Sequence, residues 1–237
     1  MSFNKEVLLS EKSRDVRWAN FINTHHSVSV LEIGVYRGKF AAEMLNRSPK
    51  IQKYYMLDPW RNMDAEDWNA VYNFSDNMDN IYEEALERTS KFEDKRSILR
   101  GTTIEKIDEI DDNSLDFIYI DGDHSLKGIS IDLIKSWDKV KDDGYIGGHD
   151  FKAIAWKNKV DIEPYLVFPF AIYFAEAMGV KIYGLPSNEF LIAKEQKGFE
   201  FVDLSEEKRF KKADILSQVF RLPYRYIFKI FLKKTLG

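Results

Sequence analysis

Short apolar runs separated by helical stretches organise the chain. SVSVLEIG at 27–34 is β-branched and stops at a glycine, which predicts a buried strand. KYYMLDPW at 53–60, halted by Pro59, predicts a second and RSILRG at 96–101 a third. LDFIYIDG at 115–122 and DGYIGGHDF at 143–151 give the fourth and fifth. Helical spacing runs between them in KFAAEMLNR, from about Asp64 to Ser90, and in ISIDLIKSWDKV. Strands alternating with helices predict an α/β fold, a doubly wound sheet with right-handed crossovers. VKIYGLPS (180–187) and EFLIAKE (189–195) are joined too tightly at Pro186–Asn188 for a crossover, so the mostly parallel sheet should end in an antiparallel hairpin.

Two segments stand apart from this rhythm. The stretch 61–90 is longer than an ordinary connection and is expected to form a cap or an interface. Residues 205–237 hold nine Lys/Arg against three acids, a net of +6, so the remainder of the chain carries −10. A helix starting near Pro223 would set Tyr224, Ile227, Phe228 and Phe231 on one face, with Arg225, Lys229 and Lys233 on another. Such a helix either docks on its own domain or a second subunit of a homo-oligomer, or meets an anionic membrane surface through 219–236.

Composition narrows the chemistry. A net charge of −4 is too near neutral to predict a nucleic-acid partner. The absence of cysteine excludes disulfides, zinc-thiolate sites, iron–sulfur clusters and a thiol nucleophile. The N-terminus shows no apolar leader core and no run reaches the length of a bilayer span, so a cytoplasmic setting is the default, peripheral at the inner membrane face if the tail engages lipid.

Polar residues cluster where strands end. Leu31-Glu32-Ile33-Gly34-Val35-Tyr36-Arg37-Gly38 places Gly34 and Gly38 at the turn from strand to helix, where backbone N–H groups can approach a nucleotide-like ligand. The spacing is not that of a dinucleotide site, and Glu32 would repel phosphate but suit an amino group. Turn glycines without a ligand remain the bland alternative. Asp58 ends the second strand 24 residues after Gly34, where an acid can accept from both ribose hydroxyls, or simply cap the turn before Pro59. Asp121, Asp123 and His124 close the fourth strand, and His149 and Asp150 the fifth. Asp121 and Asp150 could share a divalent cation as hard oxygen ligands, with His149 a third ligand or an orienting neighbour. His124 could accept a proton from a substrate hydroxyl, or merely cap the next helix.

Together these residues resemble the class I S-adenosylmethionine-dependent methyltransferases. VLEIGVYRG is similar to their first motif and LDP to the segment carrying the ribose-binding acid. FIYIDGDHS followed by DGYIGGHD resembles a metal-dependent O-methyltransferase branch that includes macrolide-sugar, catechol and caffeoyl-CoA enzymes. The resemblance covers about 28–195 and implies a Rossmann-like methyltransferase domain over 1–204. It implies that Glu32, Gly34 and Gly38 line the methionine part of the cofactor. Asp58 would hold the ribose, Pro59 and Trp60 beside it would belong to the cofactor site, and Thr102 or Thr103 would lie near the adenine. Asp121, His149 and Asp150 match metal positions, the ion expected being Mg²⁺, and Asp121 also borders the cofactor. His124 matches the general base of the sugar-modifying members. His149 stands where that branch usually has an acid.

The implied reaction is methyl transfer to a hydroxyl, on a sugar or glycan by preference, with a phenol or other natural product as the alternative. A nicotinamide oxidoreductase would share the sheet, but the G-x-G-x-x-G turn is lacking. A non-catalytic cofactor-binding subunit is the reading from outside enzymology.

Overall fold

The run Val28–Ile33 forms β1, and five of its six residues are buried. Burial on both faces is what a central parallel strand meets, so its signature is a continuous apolar run and not an alternation. The computed structural model describes residues 5–9, 13–63, 77–152 and 166–205. Beside β1 lie β2 (Ile51–Asp58), β3 (Arg96–Arg100), β4 (Leu115–Ile120) and β5 (Val140–Gly148), all parallel. β6 (Val180–Leu185) and β7 (Glu189–Lys197) form the expected hairpin, and β8 (Glu200–Asp203) runs parallel to β6. The order across the sheet is β3-β2-β1-β4-β5-β7-β6-β8, with β7 the strand that runs against its neighbours. Ser187 and Asn188 take left-handed φ values of 64° and 59° in the hairpin loop. Asparagine tolerates that region well.

Seven helices complete the description: α1 (Lys5–Leu9), α2 (Arg14–Asn23), α3 (Lys39–Arg47), α4 (Met78–Arg88), α5 (Thr103–Lys106), α6 (Leu126–Trp137) and α7 (Val167–Met178). Alternate residues of each strand feed opposite faces of the sheet. Val30, Phe117 and Tyr119 pack with Trp18 and Phe21 of α2 and with Phe40 and Met44 of α3. Leu31, Ile118 and Ile120 pack with Ile129 and Leu133 of α6 and Ala171 of α7. The result is the three-layer α/β architecture with its antiparallel end, as the sequence predicts.

The differences are local. β5 begins at Val140, three residues before the expected 143, because Val140 already pairs with Leu115; the exposed or half-exposed Lys141, Asp142 and Asp143 then fall in a register shift before pairing resumes at Tyr145. α6 starts at Leu126, capped by the Ser125 side chain accepting from Gly128 N at 3.2 Å, and stops at Trp137, short of the expected Val140. Within 61–90, α4 is a crossover helix whose Ile81 and Ala85 enter the core; residues 64–76 lie outside the described residues. The tail beyond Ser205, with the expected helix at Pro223, also lies outside them.

Candidate functional site

The carboxyl ends of β1 to β5 open onto one cavity of about 810 Å³, a volume suited to a small molecule or cofactor. Gly34 makes the bottom of this cleft possible. Its φ is +87°, and a Cβ there would lie 2.3 Å from the Asp121 carbonyl oxygen, so β1 and β4 can close on each other only over a glycine. Gly38 answers a different demand. It precedes α3 with φ +70°, and a Cβ would come 2.9 Å from the Ala85 Cα, so its space is taken by α4 and it does not line the cavity.

Glu32 and Asp58 face the cavity from neighbouring strands. Glu32 is 2% exposed and accepts a hydrogen bond from the Tyr54 hydroxyl at 2.6 Å. Burial pushes its carboxyl up to about 8, against the opposing effect of the Tyr54 bond. Asp58 accepts from the Tyr36 amide and the Trp60 amide, each at 2.8 Å. The turn-capping role and a place on the cavity wall are therefore combined in one residue. Burial raises the Asp58 carboxyl above its ordinary value although these backbone bonds oppose it.

Pro59 lines the cavity beside it, whereas Trp60 does not: its ring is buried against Tyr82, and its Nε1 donates to the Tyr36 carbonyl at 2.7 Å. Trp60, expected among the cofactor-binding residues, thus supports the Tyr36 turn from behind. Thr102 and Thr103 both reach the cavity. Thr102 is engaged in a capping box with Glu105, and the Thr103 hydroxyl donates to Asp132 at 2.6 Å. Asp132, which sequence reasoning passed over, is buried and lifted to about 7 by that burial.

On the far wall the two strand-end aspartates meet both histidines. Asp150 sits in a left-handed turn, φ 54°, with its carboxylate 2.5 Å from His124 Nε2 and paired also with Lys152. Burial alone would raise Asp150, but the bonds from His124, His149 and Lys152 hold it far below the carboxylate range. His149 Nδ1 lies 3.4 Å from each of Asp121 and Asp150. Burial would lower it; the two carboxylates outweigh that and raise it to about 9. His149 thus stands between the two carboxylates, placed to orient both, and is not among the residues that line the cavity. The set whose donor atoms converge within 4.8 Å is Asp121, His124 and Asp150. Asp123 instead accepts from Ser125 N at 2.9 Å and shapes the loop.

The donor set of two carboxylates and an imidazole fits a divalent cation in residue type and reach. The same carboxylates are also met by Arg14, whose Nη1 is 3.2 Å from Asp121 Oδ2, and by Lys152, so charge balance does not demand an ion. Arg14 was not singled out from the sequence. The signal available was the spacing of Arg14, Arg17, Trp18, Phe21 and Ile22 on one helix face.

A family model described as a methyltransferase domain matches residues 31–151. Among solved structures, an O-methyltransferase from Bacillus cereus in complex with S-adenosylhomocysteine is 13% identical at a TM-score of 0.53, covering 82% of this chain and 83% of that one. TomG from Streptomyces achromogenes, an O-methyltransferase of tomaymycin synthesis in complex with S-adenosylmethionine, is 9% identical at a TM-score of 0.52, covering 81% of each chain. At those identities the likeness is one of fold. The chain spans just over half the length of two spermidine synthases it also matches, 56% of one from Thermotoga maritima and 55% of the other, at TM-scores of 0.47 and 0.46. A search of curated protein sequences found no match.

Proposed function

The chain belongs to the methyltransferase-domain family, with the class I fold of S-adenosylmethionine-dependent enzymes, and from that premise we propose that it methylates a hydroxyl of a sugar or glycan, with the His124–Asp150 pair moving the proton. The observation that carries this reading is the 2.5 Å contact between His124 Nε2 and Asp150 Oδ2 at the rim of a cavity whose other wall holds Glu32 and Asp58.

When bound, the sulfonium cofactor supplies an electrophilic methyl group and a neutral thioether leaving group. The work left to the protein is to hold both partners and take a proton. Asp58, clamped by two backbone amides, presents its remaining lone pairs to ribose hydroxyls. Glu32, on the cavity wall, would hold the ammonium of the amino-acid end. His124, with Nε2 donating to Asp150, has Nδ1 as its basic nitrogen, and Asp150 fixes that tautomer and steadies the imidazolium that forms. Asp121 and Asp150 would hold a divalent cation, Mg²⁺ in the first instance, whose chemistry is to lower the pKa of a bound hydroxyl. The convergence of Asp121, His124 and Asp150 favours this second reading, in which His124 is a ligand and not the base.

Transfer of labelled methyl groups to a panel of sugar and glycan acceptors tests the proposal. His124→Ala is expected to lower kcat by about 10²- to 10⁴-fold with the dissociation constant of S-adenosylhomocysteine unchanged. Unaltered turnover removes His124 from the chemistry. EDTA in the same assay separates the two readings: full activity assigns His124 as a metal-free base, and loss restored by Mg²⁺ or Mn²⁺ assigns it to the ion. Turnover on phenols alone would replace the sugar acceptor.

A further inference from the structure

Resting on that cofactor reading, we infer that Arg14 grips the α-carboxylate of the amino-acid end of the cofactor, making α2, which precedes the family-matched stretch, part of the binding site. Arg14 opens α2 and its side chain, 28% exposed, lines the cavity. Its Nε bonds Asp15 and its Nη1 bonds Asp121, each at 3.2 Å, while the guanidinium stands 5.0 Å from the Phe40 ring centre. A guanidinium carries five N–H donors. Nη2 meets no acceptor among the described residues, so the head is held in place with donors left for a ligand.

The helix that delivers it is bolted down. One turn along, Arg17 is fully buried and ion-paired with Glu189, which opens β7. Trp18 Nε1 donates to the same carboxylate at 2.6 Å and the Tyr119 hydroxyl at 3.0 Å. Arg17 also donates to the Pro186 carbonyl in the hairpin loop, at 3.1 Å. Tyr119 lies on β4 two residues before Asp121, so α2, the hairpin and the strand bearing Asp121 form one rigid frame around Arg14. That is a large commitment of buried polar groups for a helix with only a packing role.

The wall that Arg14 joins is complementary to a zwitterion. Glu32 and Asp121 stand close enough for both Arg14 and Asp121 to act electrostatically on Glu32. A ligand end carrying an ammonium next to a carboxylate would meet acid and guanidinium side by side, and the planar fork of arginine matches a carboxylate in two-point contact. A carboxylate on the acceptor could present the same chemistry, so the test must tell the two sources apart.

Calorimetric titration of the full-length protein with S-adenosylhomocysteine and with 5′-methylthioadenosine, which lacks the amino-acid end, does so. Arg14→Gln is expected to weaken S-adenosylhomocysteine binding by about 10- to 100-fold, the loss of one charge-assisted contact, while 5′-methylthioadenosine binding changes by less than about twofold. Arg14→Lys should restore part of the loss. Equal weakening of both ligands would mean a structural role and overturn the inference. So would unchanged S-adenosylhomocysteine affinity, including the case in which only the acceptor KM rises. Wild-type protein that binds neither ligand refutes the cofactor reading together with this assignment, whereas binding of both without discrimination by Arg14 refutes the assignment alone.

Discussion

Glu32 is 2% exposed and hydrogen-bonded by a phenol, which puts its carboxyl group in a different chemical state from one in water. Burial raises it to about 8 from an ordinary 4.5. Below pH 4.5 it is protonated in both folded and unfolded chains, and its burial costs little. As pH rises from there through about 8, the unfolded chain ionises while the folded one resists, so this contribution to stability is progressively lost. Denaturation of the unliganded protein at intervals from pH 5 to 8 should show a decline that is shallower in Glu32→Gln, whose amide oxygen can still accept from Tyr54. Asp132, Asp58 and Glu189 are raised in the same direction, which is why the comparison with the variant, and not the slope of the wild type, isolates Glu32. Identical slopes would show that Glu32 is ionised in the folded protein.

At the scale of elements, the contact between α2 and the β6–β7 hairpin concentrates more buried charge than any other described pair of side chains, both Arg17 and Glu189 having no exposed side-chain surface. Glu189→Met leaves the guanidinium without its carboxylate and is expected to cost about 3–5 kcal/mol, whereas Arg17→Met combined with Glu189→Met should recover most of that loss. Denaturant midpoints of the two single variants and the double variant close the cycle; additive losses would mean that the pair is not coupled. The strands β1, β2, β4 and β5 were legible because parallel strands largely buried on both faces read as apolar runs, each stopped by a polar residue or glycine at the edge where ligands bind. The edge strand β3, with only Leu99 buried, was legible from its short apolar core and the glycine after it. That punctuation also exposed Glu32, Asp58, Asp121, His124 and Asp150. α7 escaped because VFPFAIYFAEAM is apolar nearly all round, and β8 because four half-exposed edge residues carry no pattern. Which histidine joins the carboxylates was equally hidden: the left-handed φ at Asp150 turns its carboxylate toward His124, and spacing alone does not encode that turn.

The molecule as a whole is divided by charge. The 32 residues after Ser205 carry +6 against −10 for everything before them, and no helix among the described residues is long and apolar enough to cross a membrane. Among the described residues the cavity is lined between Arg14 and Asp150, and the proposed cofactor site draws on these and not on the basic tail. A chain ended at Ser205 is therefore expected to keep its affinity for S-adenosylhomocysteine within about twofold. If the tail's role is electrostatic attachment, at about 1 kcal/mol per basic residue near an anionic surface, full-length protein should float with phosphatidylglycerol vesicles at low salt and be released as ionic strength rises. The shortened chain, at −10, should be repelled under all conditions. Flotation of neither form, together with a shift from dimer to monomer on shortening, would assign the tail to a second copy of the chain instead. Flotation that survives in high salt would point to burial of Tyr224, Ile227, Phe228 and Phe231 as the dominant contribution, because apolar burial is not screened.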